Sequence, residues 1–128
     1  MRVLLDTHAL LWALENNPKL SRIAAAAVRD PANDLLVSAV SIMEIALKHR
    51  LGKLPEAAQF VADWHATFAG LAAIPLAITV EHAAMAGSLD IAHKDPFDRL
   101  LIAQALVERV PLVSNEVMFD GFGVTRIW

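Results

Sequence analysis

The sequence contains no cysteine. That excludes disulfides, thiolate zinc sites and cysteine nucleophiles together. Long hydrophobic runs are missing as well. The longest apolar stretch, Leu71–Ile78, is interrupted by Pro75 and falls far short of the ~18 to 20 residues of a membrane span. There is no excess of positive charge: 11 basic against 14 acidic residues give a net charge of −3. Nucleic acid would therefore have to be held by a local basic patch or through a metal ion. Repeats, low-complexity tracts and linkers are absent. The opening "MRVLLDTHALLW" is broken by Asp6 and has no small-residue cleavage site. It does not read as a signal peptide, and a cytoplasmic protein is expected.

Apolar residues, by contrast, are plentiful. They make up 56% of the 128 residues, with a mean hydropathy of +0.46. A single domain over residues 1–128 is expected, long enough to bury roughly 68% of the surface of its unfolded chain. The surplus of hydrophobes points to a surface covered by a partner or a second copy.

Short β-branched or aliphatic runs alternate with helical patterns, which predicts an α/β domain with a mainly parallel sheet. Val3–Leu5 reads as a first strand, and Thr7 as the cap of a helix that ends near "ENNP". Ser21 caps "RIAAAAVRD". Leu35–Ser38 is a second strand, followed by a helix from about Ser41 to His49, with Gly52 in a left-handed position past its end. Pro55 opens a helix reaching about Phe68. Ala72–Leu76, Pro111–Ser114 and Val124–Trp128 are further strands. Helices are expected over Thr79–Ala86 and from Asp95 to about Arg109.

In open α/β sheets the site lies outside the carboxyl ends of the strands. Asp6 ends the first strand, Glu44 lies one turn into the helix after the second, and Glu116 follows the fourth. Asp98 sits in the first turn of the helix in "HKDPFDRLLIAQA". Each also has a structural role open to it. Asp6 can be a turn acid beside the Thr7 cap. Ser41 and Glu44 match a capping box. Asp95 and Asp98 fit an N-cap and an acid near a helix's positive end, and Glu116 can be a loop acid. Together they imply more. Two carboxylates ~4 Å apart repel by about 4 kcal/mol at an effective dielectric of about 20. Such a cluster needs protons or a cation. Hard oxygen ligands suit Mg²⁺ or Mn²⁺, which can activate water and clamp a phosphoryl oxygen.

Four stretches, "LLDTHALLW", "VSAVSIMEIALKHRLGKL", "HKDPFDRLLIAQA" and "LVSNEVMFDGFGVTRIW", together resemble the PIN-domain ribonucleases, and among them the VapC toxins of bacterial toxin–antitoxin systems. The resemblance runs over nearly the whole chain. It implies a PIN-like three-layer α/β/α fold with a five-stranded, mainly parallel sheet. It also implies Mg²⁺- or Mn²⁺-dependent cleavage of RNA by metal-activated water, a homodimer, and neutralisation by a VapB-type antitoxin. Asp6, Glu44 and Asp98 match the family's three principal acids. The fourth, usually an aspartate two residues past the Ser or Thr that ends the strand, falls on Glu116 after Ser114. Glutamate is one methylene longer, which leaves open how a second metal would be held.

Among the remaining polar residues, Thr7 and Ser41 would orient Asp6 and Glu44 or cap their helices. Asp95 is expected to cap, and Ser114 to support the site. Arg99 either pairs with an acid, contacts phosphate, or is structural. Lys48, His49, Arg50 and Lys53 form the densest basic cluster, either a solvated helix end favoured by the helix dipole or an RNA-backbone contact through Lys48, Arg50 and Lys53. His8 and His93 are at most supporting residues. Trp12, Trp64 and Trp128 read as core or interface rather than as RNA-stacking platforms. Two other classes stay open. One is a phospho-acceptor signalling domain, which would want a second acid at the first strand and a lysine near the last. The other is a catalytically silent α/β binding module.

Overall fold

The computed structural model describes residues 1–90 and 95–128; His93 lies outside them. In chain order the main elements are β1 (Arg2–Leu5), α1 (Thr7–Glu15), α2 (Arg22–Arg29), β2 (Asp34–Ser38), α3 (Ala39–Arg50), α4 (Ala58–Ala62) and α5 (Trp64–Leu71). They continue with β3 (Ala73–Leu76), α6 (Val80–Ser88), α7 (Pro96–Glu108), β4 (Leu112–Val113) and β5 (Arg126–Ile127). The strands form one five-stranded sheet in the order β3-β2-β1-β4-β5. Every pairing is parallel.

Side chains alternate faces along a strand, and the sequence exploits this with continuous aliphatic runs. Val3, Leu5, Leu35, Val37 and Val113 point to one face, where α1 and α2 supply Leu10, Leu11 and Ala24. Leu4, Leu36 and Leu112 point to the other, against Leu101, Ile102 and Ala105 of α7 and Phe119. A sheet covered on both faces explains why its strands are apolar throughout. The fold is thus α/β with helices in layers on either side, as expected. Pro75 sits within β3 without penalty because β3 pairs only with β2 and is an edge strand.

Three local expectations need correction. Asp6, not Thr7, is the N-cap of α1: its carboxylate accepts from the backbone N–H of Ala9 at 2.7 Å. The helix after β2 starts at Ala39 and is capped by Ser38, so Ser41 and Glu44 form no capping box. The single helix expected from Pro55 to Phe68 is instead a 3-10 turn, Pro55–Ala57, and two helices broken at Asp63, which caps α5. Gly52 does adopt the left-handed conformation, with φ +76°.

Among the described residues no helix is long and apolar enough to cross a membrane. Apolar side chains remain at the surface, including Ile23, Met43, Ile74, Val80 and Val117.

Candidate active site

β1 lies between β2 and β4, so the segments leaving the carboxyl ends of these strands are neighbours. Asp6 follows β1 directly, and its N–H donates to the Val113 carbonyl on β4. Only 4% of Asp6 is exposed. Burial pushes its carboxyl above the usual carboxylate range, and the nearby Glu116 charge adds to the rise. Hydrogen bonds from the Ser114 hydroxyl and the Ala9 N–H, together with the charge of His8, act in the opposite direction. Ser114, fully buried at the end of β4, also accepts from the Glu116 N–H at 3.0 Å. The Ser114 hydroxyl, which favours the Asp6 carboxylate, is thus also the acceptor that anchors the loop carrying Glu116.

Glu44 projects from α3, buried and with both oxygens engaged. The Thr7 hydroxyl donates to Oε1 at 2.7 Å, and Lys48 Nζ lies 2.6 Å from Oε2. Thr7 Oγ1 is also 3.0 Å from the Ser41 hydroxyl. Freed from capping, Thr7 and Ser41 form a buried link from α1 to α3 that fixes the Glu44 side chain. Asp95 caps α7, accepting from the Phe97 N–H at 2.9 Å and the Asp98 N–H at 3.4 Å. Asp98 is half-buried in the first turn.

Asp6, Glu44, Asp98 and Glu116 therefore line one cleft, of about 170 Å³, together with Thr7, His8, Lys48, Asp95 and Leu101. The donor set is all oxygen and suits a hard divalent cation. No three acids among the described residues stand close enough to ligate one ion directly as placed. An ion would have to draw the side chains inward or keep water among its ligands, as Mg²⁺ commonly does.

Other expected site residues lie elsewhere. Of the basic cluster only Lys48 reaches the cleft, while Arg50 and Lys53 are exposed outside it. Arg99 donates to the carbonyls of Ala86 at 2.9 Å and Leu89 at 2.8 Å, fastening α7 to the end of α6. These bonds give Arg99 a structural role.

A buried polar chain behind the cleft was not anticipated. The Ser38 hydroxyl donates to Gln104 Oε1 and accepts from the Val40 N–H, while Gln104 Nε2 donates to the Ala77 carbonyl. Ser38 and Gln104 are fully buried. They lock α7, which carries Asp98, to the end of β2 and the start of α3, which carries Glu44. The one signal in the sequence was Gln104 itself, a lone amide in the apolar run "LLIAQALV".

A family model for the PIN domain matches residues 3–123. The chain is a PIN-domain protein. PIN domains are nucleases. No curated protein sequence matches it, but solved structures do. VapBC2 from Rickettsia felis, bound to a DNA fragment from its promoter, superposes with a TM-score of 0.73 at 16% identity, over 98% of this chain and 97% of that one. VapBC-1 from nontypeable Haemophilus influenzae gives 0.62 at 16% identity, over 98% and 96%. FitAcB from Neisseria gonorrhoeae gives 0.59 at 19% identity, over 97% and 95%. At these identities the likeness is one of fold, and it extends over almost the whole length of this PIN domain.

Proposed function

We propose that this PIN domain is a metal-dependent endoribonuclease toxin of the VapC type. The observation that carries the reading is the meeting of Asp6, Glu44, Asp98 and Glu116, from four separate segments, in one cleft at the carboxyl edge of the sheet. Asp6 and Asp98 would be the principal ligands of Mg²⁺ or Mn²⁺. Glu44, oriented by Thr7 and Ser41, would act with them, and Glu116, held through Ser114, would be the fourth acid. A divalent ion bound there would neutralise the acids and activate water to cut the RNA phosphodiester. Lys48 supplies positive charge at the cleft for the substrate phosphate, and Arg50 and Lys53 extend that charge outward.

The likeness in fold to VapBC complexes, together with the apolar side chains left at the surface, supports a VapB-type antitoxin and a second copy as partners. A cytoplasmic location suits such a system.

The test is cleavage of total cellular RNA by the purified protein with Mg²⁺ or Mn²⁺, with chelator, and as Asp98→Asn. Metal-dependent cutting that chelator stops and Asp98→Asn abolishes, at an unchanged melting temperature, is the expected result. Cutting at the normal rate by Asp98→Asn would refute the site assignment. Cutting in chelator would refute the metal.

A further inference from the structure

Trp12 is half-buried on α1, yet neither hydrophobic cluster of the described residues includes it. Its neighbours are rings and a cation. The His8 ring, one helical turn earlier, has its centroid 5.6 Å away; the Trp128 ring, beyond β5, is 5.8 Å away; and Lys19 Nζ lies 6.0 Å from the Trp12 ring centre. His8 also lines the carboxylate cleft, and it and Lys19 are exposed. His8 at the cleft wall, Trp12, and Trp128, which also packs against the core, thus form a row of tilted ring contacts, with the Lys19 ammonium over the middle ring.

We infer that this row is a stacking subsite for unpaired bases of an RNA strand lying beside the cleavage position. The inference rests on the nuclease reading and adds a binding site to it. A chain of net charge −3 with an acidic cleft gains little from long-range attraction to phosphate. Base-on-aromatic stacking is a binding contribution that needs no net charge and tolerates any base sequence. The row begins where the reacting phosphate would sit, so bases adjoining that phosphate are the ones that reach it. Lys19, over the Trp12 ring in the free protein, yields that face to a base and meets the adjoining phosphate, a shift within reach of its exposed side chain. Paired bases hide their faces, so the subsite selects single-stranded segments.

The experiment uses short end-labelled single-stranded oligoribonucleotides and an Asp98→Asn background that does not cut. Affinity is read by anisotropy, and contact by quenching of tryptophan fluorescence. Trp12→Leu keeps apolar bulk but removes the ring, and is expected to weaken binding about tenfold, whereas Trp12→Phe restores most of the affinity. An abasic nucleotide at the responsible position should cost the starting protein a similar factor and add little to Trp12→Leu. Trp64, which packs against the core, serves as control: Trp64→Phe should leave the quenching in place. Equal affinity for Trp12→Leu and the starting protein would overturn the subsite. So would loss of a dimer at unchanged RNA affinity, which would assign the row to a second copy. With Asp98 intact, metal-dependent cutting alongside either result leaves the nuclease reading standing. No cutting at all removes that reading instead.

Discussion

Lys48 and Glu44, one helical turn apart on α3, form an ion pair of 2.6 Å inside the carboxylate cleft. The Glu44 side chain is 9% exposed and the Lys48 side chain 37%, so the pair is anchored on the buried acid. Lys48 acts as a built-in counter-ion among side chains that would otherwise repel one another. Removing it leaves a buried carboxylate with one partner fewer. Lys48→Met is expected to lower stability in chelator by about 1 kcal/mol, discounted for the exposed lysine. If the cleft takes a divalent cation, millimolar Mg²⁺ or Mn²⁺ should stabilise Lys48→Met more than the parent protein, because the ion replaces the lost charge. Thermal melts in chelator and in metal measure both effects without reference to catalysis. Equal metal shifts in the two proteins would separate Lys48 from the ion's surroundings.

Asp6 makes the second prediction. It caps α1 and at the same time carries a charge disfavoured by burial and by Glu116. A folded-state pKa raised above the unfolded value means that the folded protein holds this proton more tightly. The group's contribution to stability is therefore present at low pH and is lost as pH rises through the folded pKa. Asp6→Asn keeps a good capping residue and deletes the charge. In metal-free buffer the variant should be more stable than the parent at pH 7, with the gap closing as the pH falls to 4 and below. Urea denaturation across that range decides it. A variant less stable than the parent at pH 7 would show that the cap geometry outweighs the charge.

Much of this arrangement was legible in the sequence because it follows from strand ends. Aliphatic runs terminated by Asp6, Ser38 and Ser114 mark the carboxyl edge of a parallel sheet. The acids just past that edge have few other places to go. What was not legible is which of two adjacent candidates takes each capping role. Asp6 and Thr7 are both good caps, as are Ser38 and Ser41. The choice is made by tertiary partners: Thr7 is taken up by Glu44, and Ser38 also meets Gln104, which is 66 residues distant in the chain. The break at Asp63 had a local signal, an N-cap residue ahead of Trp64, that a continuous helical pattern obscured. The basic cluster divides for a geometric reason. Lys48 is one turn from Glu44 and lines the cleft, while Arg50 ends α3 and Lys53 lies beyond it, past the turn at Gly52, and neither lines the cleft.

Glu108 gives a prediction remote from the cleft. His82 is 1% exposed, and its Nδ1 accepts from the Thr79 N–H, so Nε2 carries the proton and donates to Glu108 at 3.0 Å. This bond, seconded by one from Arg2, holds the Glu108 carboxyl below the ordinary glutamate range. A depressed carboxylate pKa contributes stability above the unfolded value and loses it as pH falls through the folded one. Glu108→Gln is expected to cost about 1 kcal/mol at pH 7, because the carboxylate remains partly exposed. The difference should vanish in acid, where the parent's Glu108 is itself protonated. A pH-independent difference would mean that packing, not ionisation, sets the loss.

The buried amide of Gln104 offers a test of how far the acids depend on the scaffold behind them. Its oxygen accepts from Ser38 and its nitrogen donates to the Ala77 carbonyl, and no buried polar side-chain atom among the described residues is left without a partner. Gln104→Leu fills similar volume but leaves the buried Ser38 O–H without its acceptor, whereas the carbonyl of the exposed Ala77 can turn to water, at an expected cost of about 1 to 3 kcal/mol. The double change with Ser38→Ala should cost less than the sum of the single changes, since removing both members of a buried pair leaves fewer groups unsatisfied. Because Gln104 joins α7 to β2 and the start of α3, its loss should also disturb the separation of Asp98 and Glu44. Nuclease activity should then fall even at temperatures where Gln104→Leu is fully folded, while Glu108→Gln, which touches Gln104 only through His82 and leaves the Ser38 bond intact, keeps its activity. If both variants lose activity only as they unfold, Gln104 contributes stability alone and the acids are positioned by their own helix starts.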